Sequence, residues 1–154
     1  MADDAIVSGS VTVLPDEISK SFTLTMTVSP ADTSEKWYYK RTEIQTTAAD
    51  LIAGNFIDQS AVDQDTAPAA VSTSDEVKFL FIQNESTADG IMICLDGGTP
   101  AFNLADGIFI GPSQTLTLRC PNTTVANLHA VSSDLGDAGD AAVTAVVCAL
   151  IHDV

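Results

Sequence analysis

Positive charge is scarce in this chain. Six lysines and arginines stand against 21 aspartates and glutamates in 154 residues, a formal net charge of -15 at pH 7. Binding of DNA or RNA requires a cationic footprint, as does adhesion to an anionic bilayer, so neither nucleic acid nor membrane is an expected partner. Histidine is scarcer still, with only His129 and His152. There is no G-x-S-x-G elbow to present a nucleophile, and Ser113 in "GPSQT" reads as part of a proline turn entering a strand. No glycine-rich loop joins a strand to a helix, which removes the usual phosphate cradles. Long apolar runs are also missing. The most apolar stretch, "AAVTAVVCALI" at 141–151, falls short of the ~20 residues of a membrane-spanning helix. It is β-branched and reads as a buried strand. The opening "MADDAIVSGS" carries two acids where a secretion signal carries cations, so no targeting segment is expected. Three cysteines, an odd number, then predict reduced thiols in a protein made inside a cell.

What is present is β-pattern. The apolar fraction is 45%, and a chain of this length buries roughly 70% of its unfolded surface without a metal or disulfide staple. One domain over 1–154 is expected. "SFTLTMTV" alternates Phe22, Leu24, Met26 and Val28 with Ser21, Thr23, Thr25 and Thr27, the period of a strand with one buried and one wet face. "AIVSGSVTVL", "KWYYKRTEIQ", "VKFLFIQ", "GIMICLD", "GIFIG", "TLTLR", "NLHAVSS" and "AAVTAVVCALIH" bring the total to about nine strands. With no helices between them, antiparallel pairing in a sandwich or barrel is predicted. One short helix is expected near 48–54, where Thr47 and Asp50 have capping-box spacing and Gly54-Asn55 would end it. Residues 58–76 are polar, acidic and weakly patterned, the composition of a loop or arm. The expected core includes Phe22, Leu24, Met26, Phe79, Phe81, Ile91, Ile93, Leu116 and Leu118. In "VKFLFIQ", Val77, Phe79 and Phe81 are expected on one face and Lys78, Leu80 and Ile82 on the other.

Few residues carry chemistry. Cys148 and His152 are four apart, and Cys94 and Cys120 have no neighbour at ligand spacing, so buried structural thiols are preferred to zinc ligands. Asp134, Asp137 and Asp140 in "DLGDAGDA", and Asp63 and Asp65 in "VDQD", offer oxygen ligands but lack EF-hand spacing. No metal and no cofactor is expected. The triplet Asn84-Glu85-Ser86 has the form of a glycosylation site and sits in an expected turn. "KWYYKR", residues 36–41, holds the only tryptophan, both tyrosines and three of the six cations. It reads as an interface patch, as a sugar-stacking platform, or as an amphipathic strand with Trp37 and Tyr39 inward and Lys36, Tyr38 and Lys40 outward.

Residues 77–154 resemble small β-sandwich structural proteins of tailed bacteriophages, capsid decoration (cement) proteins above all. The resemblance lies in the order "VKFLFIQNES", "GIMICLDGG", "IFIGPSQTLTLR", "LHAVSS" and "AAVTAVVCALIHDV". Such proteins often have Gly where this chain has Ser113. The resemblance implies a jelly-roll-like sandwich in a virion, oligomeric and without catalytic residues. On that basis the expected function is non-enzymatic: stabilising a phage head by binding the major capsid protein. The protein would be made in the host bacterial cytoplasm and assembled on the capsid surface as a symmetric oligomer, with three copies preferred. Trp37, Tyr38, Lys40, Arg41, Asp58, Asp63 and Asp65 are the expected contacts. The alternatives are a tail, collar or fibre component, and a carbohydrate-binding module using Trp37 and Tyr38.

Overall fold

Strands form where alternation is strongest. The computed structural model describes residues 4–13, 20–57, 69–102, 107–133 and 141–154, and all its sheets are antiparallel. The chain divides into two compact units, Met1–Thr33 and Ser34–Val154, where a single sandwich over 1–154 was expected.

The first unit is a hairpin. β1 (Ala5–Val13) pairs with β2 (Lys20–Val28) in a register that sets Val7 opposite Met26, Gly9 opposite Leu24 and Val11 opposite Phe22. Directly opposed residues share a face, so these six make one side of the ribbon. Ile6, Ser8, Ser10 and Thr12 with Thr27, Thr25, Thr23 and Ser21 make the other, on which Ile6 is exposed. The expected burial of Phe22, Leu24 and Met26 is not met. Val28 is buried and Met26 half-buried, but Leu24 is 53% and Phe22 56% exposed. The alternation is as predicted, but a two-stranded ribbon has no opposing layer of its own to cover its apolar side.

The second unit is a β-sandwich. Its strands are β3 (Glu35–Ile44), β4 (Ala49–Asp50), β5 (Glu76–Asn84), β6 (Gly90–Cys94), β7 (Ile108–Ile110), β8 (Thr115–Thr124), β9 (His129–Ser133) and β10 (Val143–His152), with a 3-10 turn at Val125–Asn127. One sheet has the order β3-β10-β5-β8 and the other β4-β9-β6-β7. The pairs nest: β6 with β7, β5 with β8, β4 with β9 and β3 with β10. The unit is thus one long hairpin whose rungs are dealt alternately to two sheets. Between the sheets, Tyr38, Val77, Leu80, Ile82, Val147, Ala149 and Ile151 of one meet Ile91, Ile93, Ile110 and Ala130 of the other in one hydrophobic cluster. Leu116 and Leu118 pack against its edge.

The expected helix near 48–54 is replaced by β4 and an irregular segment. Ala49 and Asp50 pair with Ala130 and His129, and the Leu51 N–H donates to the Leu128 carbonyl at 2.9 Å. Leu51 and Ile52 are both buried, and burial of this adjacent pair overrides a weak helix signal. Of the expected arm at 58–76, residues 58–68 lie outside the described residues. Its end is tied down: Ala70 bridges Asn55, and the Val71 N–H donates to the Gly54 carbonyl at 2.8 Å.

A bulge corrects the expected facing of β5. The register shifts between Val77 and Phe79, and again between Leu150 and Ile151 of β10. Lys78 is the inserted residue, and one inserted residue reverses the parity of all that follows. Val77 therefore faces the core with Leu80 and Ile82, while Phe79 and Phe81 face away from it. Phe79 is nonetheless buried, and Phe81 is half-buried.

Turns are pinned by buried polar side chains. Asn84, 1% exposed, donates from Nδ2 to the carbonyls of Asp89 (2.8 Å) and Gly111 (3.0 Å) and accepts the Ser86 N–H at 2.9 Å. The glycosylation-like triplet is thus a structural clasp between the β5–β6 and β7–β8 turns, and no sugar could be carried on this amide. Asp75, also buried, accepts the N–H of Ser72 at 2.7 Å and of Val154 at 3.2 Å. Gly97 sits at φ 81, where a side chain would be strained, and Asp96 Oδ1 closes the turn on the Gly98 N–H. Asn84→Asp keeps the shape but faces carboxylate oxygens toward two carbonyls. The expected loss is about 2–3 kcal/mol of unfolding free energy, read as a lower urea midpoint with unchanged slope.

Candidate functional site

The residues expected at an interface lie on β3, and β3 sends them to opposite faces. Tyr38 is 1% exposed inside the core; its hydroxyl donates to the Ala53 carbonyl at 3.0 Å and accepts the Ala53 N–H at 3.4 Å. Burial raises its pKa. Trp37 is buried on the other face, edge-on to Phe79 with centroids 6.1 Å apart. The outward Tyr38 and inward Tyr39 of the amphipathic reading are therefore exchanged, because the sandwich interior takes the even residues of this strand. A stacking platform at Trp37 and Tyr38 is not formed. Lys40 and Arg41 are exposed: Lys40 donates to the Ala53 carbonyl at 3.0 Å, and Arg41 pairs with Glu85 at 2.7 Å. Asp58, Asp63 and Asp65 lie outside the described residues, as do Asp134, Asp137 and Asp140.

Strand register assembles the outer face of the larger sheet. One row across it is Trp37, Leu150, Phe79 and Arg119; the next is Tyr39, Cys148, Phe81 and Thr117. Arg41, Val146, Gln83 and Thr115 border these on one side, and Glu35, His152, Glu76 and Thr124 on the other. Tyr39 is 55% exposed, and Phe81, Cys148 and Val146 are half-buried. Trp37, Leu150 and Phe79 are buried even on this face, so the part of the centre open to solvent is Tyr39 with Phe81, Cys148 and Val146, inside a polar and charged border. Tyr39 is the exposed aromatic of this face, which the amphipathic reading of the sequence placed inward. Alternation alone gives two possible phases for β3, and nothing in "KWYYKR" distinguishes them.

Reactive groups elsewhere serve the fold. Cys94 and His129 are opposed on β6 and β9, and both point at one carbonyl. The Cys94 thiol donates to Gly98 O at 2.8 Å, and His129 Nδ1 lies 2.7 Å from the same oxygen. His129 Nε2 is 3.3 Å from Asp50. The thiol donates to this carbonyl and not to the imidazole. Burial raises the thiol pKa of Cys94 and Cys148 and pushes Cys120 up to about 11, the direction opposite to that of a nucleophilic cysteine. Cys148 and His152 are roughly 13 Å apart along an extended strand, too far to share an ion. Among the described residues, no three His, Cys, Asp or Glu converge as metal ligands. Ser113 holds a turn, its N–H donating to the Ser86 carbonyl at 2.7 Å. An open cleft of about 460 Å³ lies between Thr46–Ala48 and Thr99–Phe102, floored by Val131 and Ser132.

No family model matches the chain, and no curated protein or solved structure matches it either.

Two outcomes follow. Trp37→Ala removes a buried indole and is expected to cost about 3 kcal/mol of stability, whereas Tyr39→Ala should leave the thermal midpoint nearly unchanged; paired thermal melts check both. Cys120 has a raised pKa in the folded state, so the unfolded chain loses this proton first. The stability tied to it is complete below pH 9 and falls away as pH rises toward 11. Cys120→Ala should flatten that part of the alkaline stability profile.

Proposed function

We propose that this protein is a non-enzymatic structural component of a tailed-phage virion, a capsid decoration protein that stabilises the head by binding the major capsid protein. The observation that carries the reading is the outer face of the β3-β10-β5-β8 sheet, with Tyr39 and Phe81 inside a border containing Arg41, Glu76 and Arg119. A face of this kind suits a broad protein surface rather than a small substrate. The reactive side chains tied into turns agree with a structural role.

Two further observations support the phage resemblance. Eight strands dealt alternately to two sheets as nested antiparallel pairs fit a jelly roll. Ser113 adopts φ 57, a left-handed conformation that glycine accepts without strain, at the position where the resembling proteins often carry Gly. An acidic surface complements basic patches on a shell and speeds encounter with them. Many copies, each held weakly, reinforce a shell through multivalency.

Electron microscopy of particles containing the protein tests the reading. Density over junctions between capsid subunits is expected, with occupancy lowered by Tyr39→Ser. Density confined to the tail, collar or fibres would move the assignment there, and absence from the particle would overturn it.

A further inference from the structure

The larger sheet ends in β3 on one side and β8 on the other, and β3 leaves part of its edge open. In an antiparallel ladder alternate residues bond one neighbour, and the residues between them point their N–H and C=O groups the other way. β3 pairs with β10 over its whole length without a register shift. Just past the end of that ladder the Asp153 N–H donates to the Ser34 carbonyl at 2.8 Å, so the even residues of β3 bond β10. The odd residues point outward: the Trp37 carbonyl accepts the Ile57 N–H and the Gln45 carbonyl accepts the Ser132 N–H, each at 2.9 Å. Between these two closures Tyr39, Arg41 and Glu43 turn their backbone groups away from β10, and among the described residues no other strand pairs with β3. We propose that this open stretch binds an extended segment of a partner protein, which adds to β3 as one more antiparallel strand of the sheet. This docking mode rests on the reading of the sheet as a protein interface and names the form in which the partner arrives.

The backbone selects the class of partner. A row of alternating donors and acceptors is matched by an extended main chain, and a strand added to a sheet edge satisfies all of them at once. The row is open to such a segment: Tyr39, Lys40 and Arg41 are all exposed, whereas a strand covered on its edge and one face exposes at most every second residue. The other edges of the sandwich are poorer. β4 has two residues and β7 three. β8 contains Pro121, which has no N–H to give, beside the register shift in its pairing with β5.

The side chains select the sequence. Tyr39, Arg41 and Glu43 share the outer face, and residues directly opposite one another on paired strands interact. A fitting segment therefore carries an apolar residue opposite Tyr39, an acid opposite Arg41 and a base opposite Glu43. Arg41 meets Glu85 through Nε and is exposed, so its guanidinium can take a second acid. Cations on a sheet edge discourage indiscriminate pairing, so Lys40 and Arg41 disfavour a segment that lacks this acid. A second copy of the chain is the poorer occupant, because two bodies of net charge -15 repel.

Nuclear magnetic resonance of the full-length chain tests this without any particle, so its failure and that of the decoration role are distinguishable. The probe is the synthetic peptide Thr-Lys-Thr-Glu-Thr-Val-Thr at millimolar concentration, whose lysine, glutamate and valine fall opposite Glu43, Arg41 and Tyr39 when it runs antiparallel to β3. Amide exchange at Tyr39, Arg41 and Glu43 is expected to slow about tenfold, with Lys40 and Thr42, already bonded to β10, unchanged. Arg41→Pro deletes an outward N–H that the β10 ladder does not use, at an edge position where proline is tolerated; it should abolish binding and leave the thermal midpoint nearly unchanged. Arg41→Ala keeps that N–H and should weaken binding only about threefold, the worth of one cross-strand ion pair. The same peptide methylated on its glutamate N–H should not bind the unaltered protein. Unchanged exchange at the three amides, or equal binding of the methylated peptide, would overturn the proposal. So would slow exchange there in the free chain that deepens with protein concentration, because a second copy would then hold the edge.

Discussion

The sandwich depends on one strand, β10. It lies inside the larger sheet, pairing with β3 on one side and β5 on the other. Its inward residues Val143, Ala145, Val147, Ala149 and Ile151 are all buried against the opposite sheet. Ala149 is small where Tyr38 and Leu80 on either side of it are large, the alternation that lets two faces interlock. Among the described residues β3 pairs only with β10, so its place in the sheet waits on a strand about 100 residues further along the chain. The nested order makes nearly every pairing long-range, and closing long loops before contacts form slows folding. Asp75 belongs to the same constraint. It lies just before β5, yet it accepts the Val154 N–H just beyond β10, fastening the exit of β10 to the strand beside it.

The polar groups follow from this layering. A sandwich buries the ends of its turns as well as its strands, and each buried donor or acceptor must find a partner. Asn84, Asp75, and Cys94 with His129 each meet that need at a different turn. That requirement explains why the residues most suggestive of chemistry are held inward. The Asn84 amide is engaged with four backbone groups, and the Gly98 carbonyl takes both a thiol and an imidazole nitrogen. No buried side-chain nitrogen or oxygen among the described residues lacks a partner. These turns are well supported and correspondingly poor places for a reactive group to move.

Strand positions were legible because period-two alternation is a local property, and all-β antiparallel architecture followed from the absence of helical spacing between strands. Facing was less legible. The Lys78 bulge reverses the parity of β5, and nothing in "EVKFLFIQN" announces an inserted residue, since its apolar residues suit either face. The phase of β3 failed for a related reason: Tyr38 and Tyr39 are chemically alike, and only the packing of Tyr38 over Ala53 separates them. Thr47 and Asp50 have helix-start spacing, but two buried residues, Leu51 and Ile52, outweigh a capping signal. For Phe22 and Leu24 the alternation was right and the inference of burial wrong, because alternation reports which side is apolar and not whether anything covers it.

Charge and apolar surface are distributed differently in the two units. The outer face of the sandwich sets Tyr39 and Phe81 within a border of both signs, suited to a partner with its own charge pattern. The β1 and β2 strands carry a single charge, Lys20, on the side of Val11, Phe22 and Leu24, and set mostly hydroxyl side chains on the other.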